Sequence, residues 1–324
     1  MPYISIVSPV YKAENILVQL VKRIDLSVSQ ITDDYEIILV EDGSPDKSWK
    51  VIEELAKTNK HIRGFKLSRN FGQHHAITCG LDHARGEWIV VMDCDLQDQP
   101  EEIISLYRKA QEGYDIVFGI RHERKDTFTK KFFSKLYYKL YSILSDLKID
   151  NRVANFGIYH KKVITAVSML REPIRGFLPH VYWVGFKKTG IEVKHSNRFE
   201  GKSSYTFSKL FNLALNGAIN YSDKPLKIAV VFGILISIFS GIGIILFLVE
   251  YFLGKIQEPG FASLIISLYM LCGIIIFFMG IIGLYLSKVF EAVKNRPLYI
   301  IDKTIDSSTQ TYDFRKLSDK TKTS

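Results

Sequence analysis

Two uncharged runs near the C-terminus, residues 228–249 and 261–287, constrain this chain more than any other feature. As a helix, at about 1.5 Å per residue, each is long enough to cross a hydrocarbon core of about 30 Å. A helix of a soluble domain seldom continues past about 20 residues without a charge, because only part of its surface is buried. The pair therefore predicts a transmembrane hairpin over residues 226–289 joined by a short 254–260 connection. Lys224 and Lys227 precede the first run, and Lys288, Lys294 and Arg296 follow the second, whereas the connection carries one Lys and one Glu. By the positive-inside rule both flanks are cytoplasmic. The opening MPYISIVSPVYKAEN has no basic segment followed by a long apolar run, which leaves the N-terminal region on the side of synthesis. The expected arrangement is an integral membrane protein with two spans, its N-terminal domain and both termini cytoplasmic.

The net charge of +9 is compatible with nucleic acid, an anionic membrane or simple solubility. Two spans favour the membrane and argue against nucleic acid. Cys79, Cys94 and Cys272 share no close spacing, so neither a disulfide framework nor a zinc site is predicted. Gly233, Gly241 and Gly243 in the first run would permit close helix packing, which leaves a homo-oligomer open.

Upstream, short β-branched runs at 4–8, 36–40, 63–67, 88–92 and 115–119 alternate with helical patterns at 16–28, 49–58, 74–84 and 101–112. Near-continuous apolar strands separated by helices predict an α/β domain with a mostly parallel sheet covered on both faces. Ligands of such sheets sit at the carboxyl ends of the strands. The residues there are polar: Pro9-Val10-Tyr11, Glu41-Asp42-Gly43-Ser44, Ser68-Arg69-Asn70-Phe71-Gly72 and Asp93-Cys94-Asp95. This domain is taken as residues 1–205. Within it, 128–145 reads as a basic amphipathic helix for a membrane surface, with Lys131, Lys135 and Lys139 beside an apolar face. A juxtamembrane helix is expected over 206–225. The tail, 290–324, is rich in Lys, Asp, Ser and Thr from 302 onward and is expected to be disordered.

The sharpest chemical signal is the apolar strand that runs directly into Asp93-Cys94-Asp95-Leu96-Gln97. Hard ions such as Mg²⁺ or Mn²⁺ take oxygen ligands, keep waters and complete their shell with substrate phosphates. Asp98, ahead of Gln99, Pro100 and Glu101, reads instead as a helix cap.

Six segments in register, followed by two spans, resemble family 2 glycosyltransferases with the Rossmann-like GT-A fold, of the polyprenyl-phosphate (dolichyl-phosphate type) sugar transferase group. They are Ser8-Pro9-Val10-Tyr11, Glu41-Asp42-Gly43-Ser44-Pro45-Asp46, Arg69-Asn70-Phe71-Gly72, Asp93-Cys94-Asp95-Leu96-Gln97, the Arg121/Arg124 segment and Arg198-Phe199-Glu200-Gly201-Lys202-Ser203-Ser204-Tyr205. The resemblance implies that Pro9, Tyr11, Glu14, Asp42, Asn70, Asp93, Cys94, Asp95 and Gln97 border the nucleotide sugar. Asp42 would meet the base or ribose, Asp93 the ribose and sugar, and Asp95, helped by Gln97, a divalent metal on the diphosphate. Arg121 and Arg124 suit the acceptor phosphate, since guanidinium groups bind phosphate well. Lys131, Arg198, Ser203 and Tyr205 would line or close the acceptor side.

Two departures qualify the resemblance. Val153-Ala154-Asn155-Phe156-Gly157 has an amide where relatives carry an acid, and Gln73, His74 and His75 follow Gly72 where a basic residue is often found. An amide is no general base at neutral pH. A phosphate acceptor needs none, whereas a hydroxyl acceptor does. The implied reaction is an inverting transfer from a nucleotide sugar to a polyprenyl phosphate. Its rivals are transfer to a hydroxyl of a lipid or polysaccharide, and a silent nucleotide-sugar-binding scaffold.

Overall fold

The computed structural model describes residues 3–121, 152–172, 176–194, 224–253, 260–306 and 309–313. The chain divides into two compact units, one of Met1–Lys130, Leu147–Ser204 and Arg296–Ser324, the other of Lys131–Asp146 and Tyr205–Asn295. The amphipathic helix expected at 128–145 and most of the juxtamembrane helix expected at 206–225 lie outside the described residues.

The first unit begins with β1 (Ile4–Val10), α1 (Leu17–Val28), β2 (Tyr35–Glu41), α2 (Ser48–Thr58), β3 (Ile62–Leu67), α3 (Gln73–His83) and β4 (Trp88–Val91). The sequence periodicity explains each choice. β1 and β2 are buried at every residue, as strands covered on both faces must be. α1 buries Leu17, Leu20, Val21, Ile24 and Val28, a single helical stripe whose side chains contribute about 1.5–3 kcal/mol each on full burial. A 3₁₀ turn (Pro100–Glu102) then leads into α4 (Ile103–Ala110). Its N-cap is Gln99, with no side-chain bond, while Asp98 is fully buried one residue earlier. The capping role expected of Asp98 is thus corrected.

β5 (Ile116–Arg121), β6 (Val153–His160), α5 (Lys161–Met169), α6 (Phe177–Trp183) and β7 (Lys188–Val193) complete one flank. β8 (Ile301–Asp306) and β9 (Thr309–Asp313) form the other. The strand order is β7-β5-β6-β4-β1-β2-β3-β8-β9. β4, β1, β2 and β3 are mutually parallel, as the alternating pattern requires. Two strands are reversed: β6 runs antiparallel to both β4 and β5, and β8 antiparallel to both β3 and β9, while β7 is parallel to β5. The sheet is therefore mixed, with β6 and β8 running against a majority of strands that share one direction, as the mostly parallel expectation has it. One core layer lies under α1, α2 and α4, and the other under α3, α5 and α6.

The tail also departs from expectation. Its polar composition reads as disordered, yet residues 301–306 and 309–313 are strands. Edge pairing satisfies their backbone, and Ile301 and Ile305 pack on the two core layers. Charge fixes the register. Buried Arg63 of β3 donates to Glu36 at 2.6 Å and lies 3.3 Å from Asp306 of β8. Glu36 in turn accepts from the Ser5 hydroxyl at 2.6 Å and the Arg85 N–H at 2.7 Å. Beyond β8, the Ser68 N–H donates to the Ile300 carbonyl at 2.9 Å, and the Tyr299 hydroxyl donates to Asp82 at 2.8 Å.

The second unit contains α7 (Lys224–Phe252) and α8 (Phe261–Val293), which carry residues 228–249 and 261–287 and extend through their charged ends. Both are long and apolar enough to cross a membrane. Side chains such as Phe239 and Phe277, at 71% and 65% exposure, are left uncovered by protein. Such surface is stable against hydrocarbon and costly in water.

Breaking a buried ion pair from one side strands the partner charge. Arg63→Met is expected to destabilise the full chain by about 3 kcal/mol, read as a lower denaturation midpoint. Arg85→Met, removing an exposed partner of the same Asp306, is expected to cost less than about 1 kcal/mol.

Candidate active site

The site begins where a ladder stops. β1 continues beside β2 to Val10, but β4 pairs with it only as far as Val7–Val91. Above that point the fourth strand's chain turns aside as Asp93-Cys94-Asp95. Pro9 lies in the uncovered stretch. The Val7 carbonyl accepts from the Met92 N–H, and Pro9, two residues on, has its backbone on that same side. Its missing N–H therefore costs no ladder bond.

Hydrogen bonds tie the loops of this edge together. The first and second loops are joined by Lys12 N–H to the Ser44 hydroxyl (2.8 Å), Ala13 N–H to the Ser48 hydroxyl (3.1 Å), Glu14 N–H to Asp46 (3.2 Å) and Lys47 N–H to Glu14 (2.8 Å). Asp46 also accepts from the Ser44 and Ser48 hydroxyls at 2.5 and 2.7 Å. Burial pushes the Asp46 carboxyl up, but these hydroxyls and the Ser48 and Glu14 amides outweigh it and hold it below the usual carboxylate range. The second loop holds the third through Asp42, which is 3% exposed and accepts from Phe71 N–H at 2.7 Å and Gly72 N–H at 2.9 Å. Gly43 turns at φ +60 against the backbone of Arg69 and Asn70, where a Cβ would clash. Buried Glu41 accepts from the Ser44 N–H through one oxygen.

The third and fourth loops meet through Gln73, the first residue of α3, whose Nε2 donates to Asp93 Oδ1 at 2.6 Å. The Tyr11 N–H faces the Cys94 thiol, which joins the fourth loop to the first. Burial drives that thiol up to about 12, despite this N–H, so Cys94 is neutral and packs on the core. Asp95 Oδ1 accepts from the Gln97 N–H at 3.1 Å. Buried Leu96, at φ +56, makes the reversal that brings this amide back.

Asp93 and Asp95 are thus half-buried carboxylates with fixed orientation at one edge. Among the described residues no three His, Cys, Asp or Glu side chains converge as a metal group. The donor set fits a hard divalent ion that takes its remaining ligands from phosphate and water, not a closed protein cage. Tyr11, 45% exposed, and exposed Asn70 border the same edge.

Several of the expected site residues also have partners within the protein. Asp42, read as a contact to base or ribose, clamps backbone amides of the third loop, and the Glu14 carboxylate is engaged by Lys47. Gln97 bears on Asp95 through its backbone. His74 Nδ1 accepts from the Phe177 N–H at 3.4 Å, which ties the start of α3 to α6. Asn155 of β6 lies two residues before Gly157, the partner of Val91 at the last pair of the β4–β6 ladder. Arg121 ends β5, beside Val193. Arg124, Lys131, Arg198, Ser203 and Tyr205 lie outside the described residues. The sequence reading missed Ser44, Asp46 and Ser48 as loop ties, although their alternation ahead of α2 is a capping pattern.

The sequence pattern described as Glycosyl transferase family 2 matches residues 5–167. The glycosyltransferase YkcC of Bacillus subtilis is 36% identical over 307 residues, 93% of each chain. The glycosyltransferase sll0501 of Synechocystis is 37% identical over 300 residues, 92% of this chain and 94% of that one. The undecaprenyl-phosphate 4-deoxy-4-formamido-L-arabinose transferase of Proteus mirabilis is 33% identical over 306 residues, 93% of this chain and 94% of its own.

Glu41 offers a test of the loop framework. Burial pushes its carboxyl up, more than the Ser44 N–H and Lys66 pull it down. A raised folded value means that the protonated group stabilises the fold at low pH and that this contribution is lost as pH rises through the folded value. Glu41→Gln, neutral throughout, is expected to melt above wild type at neutral pH. That difference should shrink as pH falls through the carboxylate range; a pH-independent difference in thermal midpoints would contradict the assignment.

Proposed function

The chain belongs to glycosyl transferase family 2, and from that premise we propose that it moves a sugar from a nucleotide sugar to a polyprenyl phosphate at the cytoplasmic membrane face. It is a glycosyltransferase with a GT-A fold. The observation that carries the finer reading is the Asp93-Cys94-Asp95 turn, two oriented carboxylates at the edge where the loops meet.

In this reading the nucleotide lies over the first three loops, with Tyr11 as an exposed aromatic platform and Pro9 and Asn70 at its border. Glu14 and Asp42 act from below, by holding the loops in shape. Asp93 accepts from hydroxyls of the ribose and sugar and so orients the anomeric carbon. Asp95, with Gln97, would hold a divalent ion, Mg²⁺ or Mn²⁺, against the donor diphosphate. When bound, such an ion supplies Lewis-acid stabilisation of the charge that develops on the leaving group. Cys94 contributes shape and no charge.

The acceptor phosphate oxygen attacks the anomeric carbon as the bond from that carbon to the diphosphate oxygen breaks, with inversion. No proton has to be removed from an ionised phosphate. Asn155, just before the last pair of the β4–β6 ladder, is an amide and cannot serve as a base, which supports phosphate over hydroxyl as the acceptor. The relative from Proteus mirabilis, named for an undecaprenyl-phosphate reaction, supports the same class. Arg121 and Arg124 would neutralise the acceptor phosphate, and Lys131, Arg198, Ser203 and Tyr205 would close over it and exclude water. Helices α7 and α8 suit two membrane spans, with the catalytic unit and both termini cytoplasmic.

Purified protein with Mg²⁺ or Mn²⁺, a panel of radiolabelled UDP- and GDP-sugars and undecaprenyl phosphate is expected to give a chloroform-soluble, mild-acid-labile product. Asp95→Ala should reduce its formation by about 100-fold or more, the scale typical of a lost electrostatic stabiliser. Metal-dependent donor hydrolysis without a lipid product would instead indicate another acceptor.

A further inference from the structure

We infer that Gln73 is a positioning residue for the transfer, one that orients Asp93 and couples it to the loops that hold the nucleotide; this rests on the sugar-transfer reading above. The geometry has two parts. First, the 2.6 Å bond from Gln73 Nε2 to Asp93 Oδ1 joins the start of α3 to the end of β4, across β1 and β2 of the sheet. An amide donating to a carboxylate at that distance is a strong, charge-assisted contact.

Second, the Gln73 backbone is itself fixed. It follows Gly72, at φ +101, whose N–H is held by Asp42, and the next loop residue back, Phe71, is held by the same carboxylate. α3 packs so closely on β1 that a Cβ at Gly80 would meet the Val7 side chain. Asp42, Gly72, Gln73 and Asp93 therefore form one connected path from the second loop to the fourth.

A donor held in place at Gln73 fixes the direction in which Asp93 presents its carboxylate to sugar or ribose hydroxyls.

The test uses the full-length protein in detergent and whichever donor of the UDP- and GDP-sugar panel it transfers to undecaprenyl phosphate. Gln73→Met keeps the side-chain length and removes the donor; Gln73→Lys restores a donor of similar reach. With Gln73→Met, kcat is expected to fall about 10-fold or more, with the donor KM within about 3-fold of wild type and an unchanged thermal midpoint. Gln73→Lys should recover kcat to within about 3-fold of wild type. Loss shared equally by both variants, or a fall in thermal midpoint that accounts for the lost activity, would reduce Gln73 to a packing residue and overturn the inference. Full activity of Gln73→Met would overturn it as well. Wild-type protein inactive with every donor would remove the transfer reading itself, and this inference with it.

Discussion

A parallel strand cannot hairpin into its neighbour, so each of β1 to β4 must release its chain at the same edge of the sheet and let a helix carry it back. That constraint brings four polar loops together before any functional residue is considered. Loops so gathered would be mobile if nothing joined them, since each has only its own strand and helix for support. Here carboxylates and hydroxyls provide the ties. Asp46 collects two hydroxyls and two backbone amides, Asp42 spans two further amides, and Gln73 closes the path onto Asp93. The acidic character of this edge is in part architectural: Asp42, Asp46 and Glu14 hold backbone, while Asp93 and Asp95 stand at the surface they shape.

The chain's return is as consequential as its start. After two long apolar helices it re-enters the sheet as β8 and β9, against the free edge of β3. An uncovered edge strand presents unpaired amides and carbonyls and invites pairing with another chain. The Arg63 cluster selects the native partner, because Glu36 and Asp306 are both needed around one buried guanidinium. A buried charge with only half of its partners is strongly disfavoured, which gives register specificity to a strand whose composition is otherwise polar. The Ser68 to Ile300 bond places this returning segment directly at the base of the third loop. The segment after the apolar helices is thus structurally part of the α/β unit.

Charge at the site follows a simple division. Cys94, between the two aspartates, is kept neutral by burial, and the Gln73 amide donates to Asp93. A nucleoside diphosphate and a lipid phosphate both bring negative charge. In the proposed transfer their repulsion with Asp93 and Asp95 would be offset by a cation at the donor and by guanidinium groups at the acceptor. An acceptor that arrives already ionised removes the need for a base, and that is consistent with an amide at position 155.

The sequence alone determined the strands and helices of the α/β centre to within a few residues, because near-continuous apolar runs and stripes of period 3.6 leave little freedom when both sheet faces are covered. It likewise determined the two apolar helices, since an uncharged run of that length has no stable place in water. It located Asp93 and Asp95, because carboxylates that end a buried strand are visible as a local pattern. Only the tertiary structure decided the reversal of β6, the return of β8, and which acidic residues are ties and which face outward. Asp42 and Asp95 look alike in sequence; one meets Phe71 and Gly72 and the other meets Gln97. The partners of Asp42, Arg63 and Asp93 lie 20 residues or more away along the chain, as with Gln73 and Asp93. No local period encodes such pairings; they exist only once packing has fixed which backbone amides and charges are brought together.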